Sequence, residues 1–166
     1  MKIGMMFLLF ISVNFAYAQE ENLKQDKKEN KYQDIVELVK AGNFVFEADK
    51  TYPKGGTTVD LTTNPNYLKI EEGKVEADLP FWGETYHVHD MSGDAGINFS
   101  SDMTDYTETF NDEKRNVDIK FEVNTNIDKY SCFLHINYNG YADLNISSVS
   151  KSNARYSGKV HKTENK

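Results

Sequence analysis

Between residues 117 and 147 the chain alternates apolar and polar side chains with a period of two, and few folds accept that pattern. Val117, Ile119, Phe121 and Val123 point one way while Asp118, Lys120 and Glu122 point the other; Tyr130, Cys132, Leu134, Ile136 and Tyr138 continue the pattern on the next segment. Successive side chains of a strand project to opposite faces, so such a run is a half-buried β-strand and not a helix. Asn139-Gly140 then leads into Tyr141 to Ser147, and this dipeptide predicts a hairpin with a type I′ turn, which needs positive φ at both central residues. Two-sided polarity with short connections predicts antiparallel neighbours.

The same period extends on both sides. Phe44, Phe46 and Ala48 share a face; Thr57 to Leu61 follows the turn residues Pro53 to Gly56; Tyr67 to Ile70 and Val75 to Leu79 flank the turn Glu71 to Lys74. Ile97 with Phe99 marks one strand, Tyr106 to Phe110 another, and Ala154 to Val160 the last. Ahead of them Tyr32, Ile35, Val36, Leu38 and Val39 recur at helical spacing, with Gly42 placed to end the helix. The expected fold is therefore mainly β (α+β): an antiparallel meander of about eight or nine strands forming a curved sheet, a sandwich or a barrel, preceded by one short helix. Alternation alone does not decide whether the sheet closes.

At the amino terminus Lys2 precedes a run from Ile3 to Phe15 that is apolar except for Gly4, Ser12 and Asn14, and Ala16-Tyr17-Ala18 closes it. The run is too short for a permanent membrane span, and its small residues suit signal peptidase, so cleavage between Ala18 and Gln19 is expected. The expected product is periplasmic or secreted, with no membrane anchor because no cysteine follows the cut. Glu20 to Lys31 contains no aromatic or β-branched residue and is expected to be a flexible linker. The expected layout is a signal peptide over 1–18, a linker over 19–31 and a single β-rich domain over 32–166.

Cleavage removes one lysine and no acid, making the formal charge of −7 one unit more negative. So acidic a surface repels phosphate backbones, and nucleic acid is excluded as a partner. Cys132 is the only cysteine, so no disulfide can form within the chain and stability must come from packing. It alternates with Tyr130 and Leu134 on an apolar face, while His135 projects oppositely; a small buried hydrophobe fits better than a nucleophile.

Several strand segments carry a resemblance. Gly42-Asn43-Phe44-Val45-Phe46-Glu47-Ala48-Asp49, Asp60 to Leu68, Ala77-Asp78-Leu79-Pro80-Phe81-Trp82-Gly83, Gly96-Ile97-Asn98-Phe99 and Tyr156-Ser157-Gly158-Lys159-Val160 resemble signature segments of a family of secreted Bacteroidetes proteins catalogued as domain of unknown function 4251. The resemblance spans about Tyr32 to Val160. It implies a secreted, envelope-associated, single β-rich domain with no catalytic residues to carry over. The pair of imidazoles in Tyr86-His87-Val88-His89 departs from the family pattern.

His87 and His89 are two apart and would share a strand face, which is metal-ligand spacing; His135, Asp90 or Asp94 would have to supply a third ligand. Asp90 to Asp94 is oxygen-rich but lacks the ligand spacing of a calcium loop. Phe81 and Trp82 sit in a turn, where large aromatics either contact a ligand or fold inward as a plug. With Tyr86, Tyr106 and Tyr138 they are the candidate ligand-binding residues. No catalytic motif and no cofactor signature occurs, so the chain reads as a non-enzyme, a binding module for a small apolar ligand, a peptide or an envelope partner. Two alternatives stand beside it: an assembly factor that binds through a strand edge, and a metal-dependent hydrolase using His87 and His89.

Overall fold

The computed structural model describes residues 23–63, 66–86 and 96–163. The expected signal peptide, its cleavage point, His87, His89 and the Asp90 to Asp94 segment lie outside the described residues. Among the described residues, nine antiparallel strands follow a helix, α1, over residues 23–40. The strands are β1 (Asn43–Thr51), β2 (Val59–Asp60), β3 (Tyr67–Glu71), β4 (Lys74–Leu79), β5 (Ile97–Asn111), β6 (Asn116–Asn124), β7 (Lys129–Asn137), β8 (Tyr141–Ser148) and β9 (Ala154–Lys162).

From β3 onward each strand pairs with the next, β1 pairs with β3, and β9 returns to pair with β1 from Phe44–Lys162 to Thr51–Tyr156. The meander thus closes into an eight-stranded barrel, with β2 added beside the end of β1. Closure removes most of the unpaired edges that an open sheet of this length would expose.

The inward positions are those the alternation marks. Ile119, Leu134, Leu144 and Tyr156 stand opposite one another in register and form one fully buried layer; Phe121, Cys132, Ile146 and Ala154 form the next. Phe44, Phe46, Leu68, Ile70, Val75, Ala77 and Leu79 fill the other wall. An eight-stranded barrel encloses little more than its own side chains, and here large side chains occupy the interior. Outward positions such as Asp118, Lys120 and Glu122 are charged, the reverse of a membrane barrel's polarity. Cys132 is buried, and burial pushes its thiol up to about 12, so it is chemically quiet.

α1 packs across one end of the barrel through Tyr32, Ile35, Val36 and Val39. It is already helical at residue 23, the first described residue, which corrects the linker expectation for residues 23–31. Their composition buries little, but they are an extension of a helix already fixed by its apolar face. Glu29 receives the Arg115 guanidinium at 2.8 Å and Gln33 at 2.9 Å, and Lys28 lies over the Tyr138 ring. Tyr32 donates its hydroxyl to Asp112 at 2.8 Å; burial first, then this bond, pushes the phenol up to about 12.

Two further expectations change. Ile97 to Phe99 and Tyr106 to Phe110 are not separate strands but the two halves of β5, joined through a bulge where Asp105 adopts φ 52°. The extra residue turns both Thr104 and Asp105 outward, so the inward positions go from Met103 to Tyr106 and the two-residue rhythm is lost in the middle of one strand. The Asn139-Gly140 hairpin forms, yet only Gly140 has positive φ, at 81°. Its loop is Tyr138-Asn139-Gly140, closed by Gly140 N–H to the Asn137 carbonyl at 2.9 Å. The turn with two positive φ values is instead Glu72-Gly73, at 51° and 82°, between β3 and β4.

Candidate functional site

The end of the barrel away from α1 is built from four connections: Tyr52 to Lys54 after β1, Pro80 to Tyr86 after β4, Thr125 to Asp128 between β6 and β7, and Val149 to Asn153 between β8 and β9. Five of the seven exposed large hydrophobic residues among the described residues lie there: Tyr52, Trp82, Tyr86, Ile127 and Val149. Water-facing apolar side chains scattered singly need no explanation, but their gathering on one end makes that end the candidate site.

Backbone hydrogen bonds hold these connections together. Tyr86 N–H reaches the Ser150 carbonyl at 2.7 Å, Ser152 N–H reaches the Glu84 carbonyl at 2.8 Å, and Glu84 N–H bonds the Ser152 hydroxyl at 3.1 Å. Tyr156 donates its hydroxyl to the Pro80 carbonyl at 2.8 Å from inside the barrel, which anchors the start of the Pro80 loop. The Lys151 amine lies over the Phe81 ring and bonds the Gly96 carbonyl.

Asp128 ties the β6–β7 connection to the β8–β9 connection. Its carboxylate accepts the Ser148 and Ser150 hydroxyls, both at 2.5 Å, and the N–H groups of Lys129, Val149 and Ser150. Burial alone would raise its pKa, but these donors together outweigh that and hold the carboxyl below the usual aspartate range. A depressed folded-state pKa adds stability that is complete above the unfolded value and is lost as pH falls through the folded one. Asp128→Asn should therefore destabilise the protein at neutral pH by about 1.5–3 kcal/mol. The gap from wild type should begin to narrow only below about pH 3.8, the ordinary aspartate value, and close as pH falls through the lower folded-state value. Urea midpoints measured at pH 7 and at successive values below pH 3.8 check this; a gap that does not narrow as the pH falls would mean that shape, not charge, supports the clamp.

An open groove of about 500 Å³ lies beside Trp82, lined by Pro53, Lys54, Phe81, Trp82, Gly83, Glu84 and Ser152. Phe81 packs onto the core, so the plug reading holds for it, whereas Trp82 keeps 44% of its surface exposed. Gly83 forms a narrow point, because a Cβ there would sit 2.3 Å from the Ser152 hydroxyl and 2.5 Å from the Phe81 ring. Neither the Glu84 carboxylate nor the Lys54 amine has an ionic partner among the described residues. The groove thus offers an aromatic face bordered by a free acid, a free base and a hydroxyl. Such a set of groups could orient a ligand, and among the described residues it pairs no nucleophile with a base.

Of the expected binding residues, the structure brings Phe81 and Trp82 together, with Tyr86 on the same connection. It separates the other two. Tyr106 lies on the α1 side of the β5 bulge, half-buried against Phe121, with its hydroxyl on Glu108 at 2.6 Å. Tyr138 stands in the β7–β8 loop under Lys28 of α1. Burial, followed by the Glu108 bond, raises the Tyr106 phenol, which suits a packed side chain. Sequence reasoning missed Ile127 and Val149, since one apolar residue in a polar turn has no periodicity to betray it. His135 meets Asp118 at 2.6 Å on the outer face of the barrel. Among the described residues no three His, Cys, Asp or Glu side chains gather as a metal site.

Fold and site together define an antiparallel eight-stranded barrel, plugged at one end by a helix, with its exposed aromatic surface at the other. The model of the domain of unknown function DUF4251 matches residues 26–160, and the chain belongs to that family. A crystal structure of a DUF4251 family protein from Bacteroides eggerthii shares the fold: the TM-score is 0.64 at 20% identity, over 83% of this chain and 91% of that one. No curated protein matches the sequence.

Proposed function

We propose that the chain is an exported, non-catalytic binding module that recognises its ligand on the barrel end carrying Trp82. The observation that carries this reading is the exposed indole beside a half-polar groove, on connections cross-tied by hydrogen bonds. Large side chains fill the barrel interior, so recognition belongs on the rim and not in a lipocalin-like cavity. A flat apolar face of a small molecule or of a partner's side chain would stack on Trp82. Lys54, Glu84 and the Ser152 hydroxyl would fix its orientation. Export follows from the amino-terminal sequence alone. The hydrolase alternative rests on His87 and His89, which lie outside the described residues.

The test is native mass spectrometry of wild type and Trp82→Ala, each purified gently from the native host. Wild type should carry a retained molecule or a defined partner, and Trp82→Ala should lose it while melting within about 0.5 kcal/mol of wild type, as expected for an exposed position. Identical retention by both proteins, or none by wild type, would overturn the proposal.

A further inference from the structure

β5 stays paired with β6 to its end at Asn111, but β4 accompanies it only to the Lys74–Asp102 pair, and Met103 N–H to the Gly73 carbonyl is the last contact on that side. Beyond it, among the described residues, no backbone group pairs with that edge of β5. Met103 points its N–H toward β4, and the bulge at Thr104 and Asp105 inserts one residue. Antiparallel alternation then turns the N–H and C=O groups of Tyr106, Glu108 and Phe110 toward the open edge.

We propose that this edge of β5 takes up an extended, cationic segment of a different polypeptide as an added strand, laid in line with β4. Outward main-chain donors and acceptors at strand spacing recognise an extended peptide. The sign of its charge follows from the surroundings. Residues 97–113 hold Asp102, Asp105, Glu108, Asp112 and Glu113 with no lysine or arginine. Next to them Asp34, Glu37, Glu71 and Glu72 line the hollow between α1 and the β3–β4 turn; Lys162 is the one base among its lining residues, and Lys69 pairs with Glu71 at 2.6 Å, which leaves acid in excess. Arg115 is engaged by Glu29, and Lys40 lies over the Phe110 ring. A second copy of this chain is a poor occupant, because pairing two such edges would bring like charges into opposition. Alternate residues of the added strand would lie beside Tyr106 and Phe110 on the face covered by α1. The site is at the opposite end of the barrel from Trp82, so its fate is independent of the proposal made for that end.

The probe is a fluorescein-labelled ten-residue peptide alternating lysine with valine and threonine, compared with the same peptide carrying glutamate for lysine. The lysine peptide should bind by anisotropy and slow hydrogen exchange at the amides of Tyr106, Glu108 and Phe110, and the glutamate peptide should do neither. Glu108→Pro deletes one outward donor while leaving the β6 ladder intact, and should weaken binding roughly tenfold or more. Binding without protection of those amides, unchanged binding by a folded Glu108→Pro, or no binding by the lysine peptide would overturn the proposal. The exchange measurement on wild type needs no variant, so the test survives a failure of Glu108→Pro to fold.

Discussion

Gly158→Ala is expected to open the barrel. A Cβ at this position would lie 1.8 Å from the Glu47 carbonyl oxygen and 2.9 Å from the Ala48 Cα, both backbone atoms of β1 that cannot swing aside. Gly158 pairs with Ala48 where the β1–β9 register shifts, so relief requires the two strands to part along the seam that closes the ring. Parting them exposes Phe44, Phe46, Tyr156 and Val160, which are buried beside that seam. The expected cost is at least about 4 kcal/mol, in the range reserved for backbone clashes and core disruption. A domain of this size holds about 5–15 kcal/mol in total, so the variant should be marginally folded. Urea denaturation measures the loss, and Lys159→Ala, on the outer face next door, should stay within about 0.5 kcal/mol of wild type. Near-wild-type stability of Gly158→Ala would mean that β9 does not run against β1 as closely as described.

The second large effect is expected at Tyr32. Its ring is completely buried between α1 and the barrel, and its hydroxyl bonds Asp112 in the β5–β6 turn. Tyr32→Ala removes a large aromatic from a packed interface and should cost about 3–5 kcal/mol, as for other buried aromatic truncations. Tyr32→Phe keeps the ring and gives up only the hydroxyl, leaving Asp112 accessible to water, and should cost about 1 kcal/mol. The ratio between the two is the informative quantity, measured by thermal or urea unfolding. Equal small losses would mean that α1 is peripheral.

How far the fold could be read from the sequence follows from the range of the physics involved. Strands β6, β7 and β8 were legible because one face of each is buried against its neighbours and the other faces water, which imposes the period-two pattern directly. Closure was not legible. It joins the first long strand to the last, and its chief requirement, the missing side chain at Gly158, looks in sequence like any glycine in a strand. The β5 bulge hid for a related reason: one extra residue shifts the parity between Met103 and Tyr106, so a continuous strand reads as two. The start of α1 was lost because Glu29 and Lys28 are held by Arg115 and Tyr138, partners 86 and 110 positions away.

The candidate site was legible in half. Phe81 and Trp82 stood out as large aromatics in a turn, and the structure divides their roles, one packed and one exposed. Tyr106 and Tyr138 entered the expected set on residue type alone, and both serve packing near α1. The neighbours that complete the face, Ile127 and Val149, depend on Asp128 drawing two turns together, a contact between residues 20 or more positions apart.

The central claim is that recognition takes place at Trp82, on the rim of a filled barrel. Because Trp82 is the only tryptophan, acrylamide quenching of its fluorescence reports that one position. The comparison is between protein isolated gently from its native host and the same protein after unfolding and refolding in ligand-free buffer. The indole should be shielded in the first sample and accessible in the second, as recognition at Trp82 requires. Equal accessibility in both would contradict it.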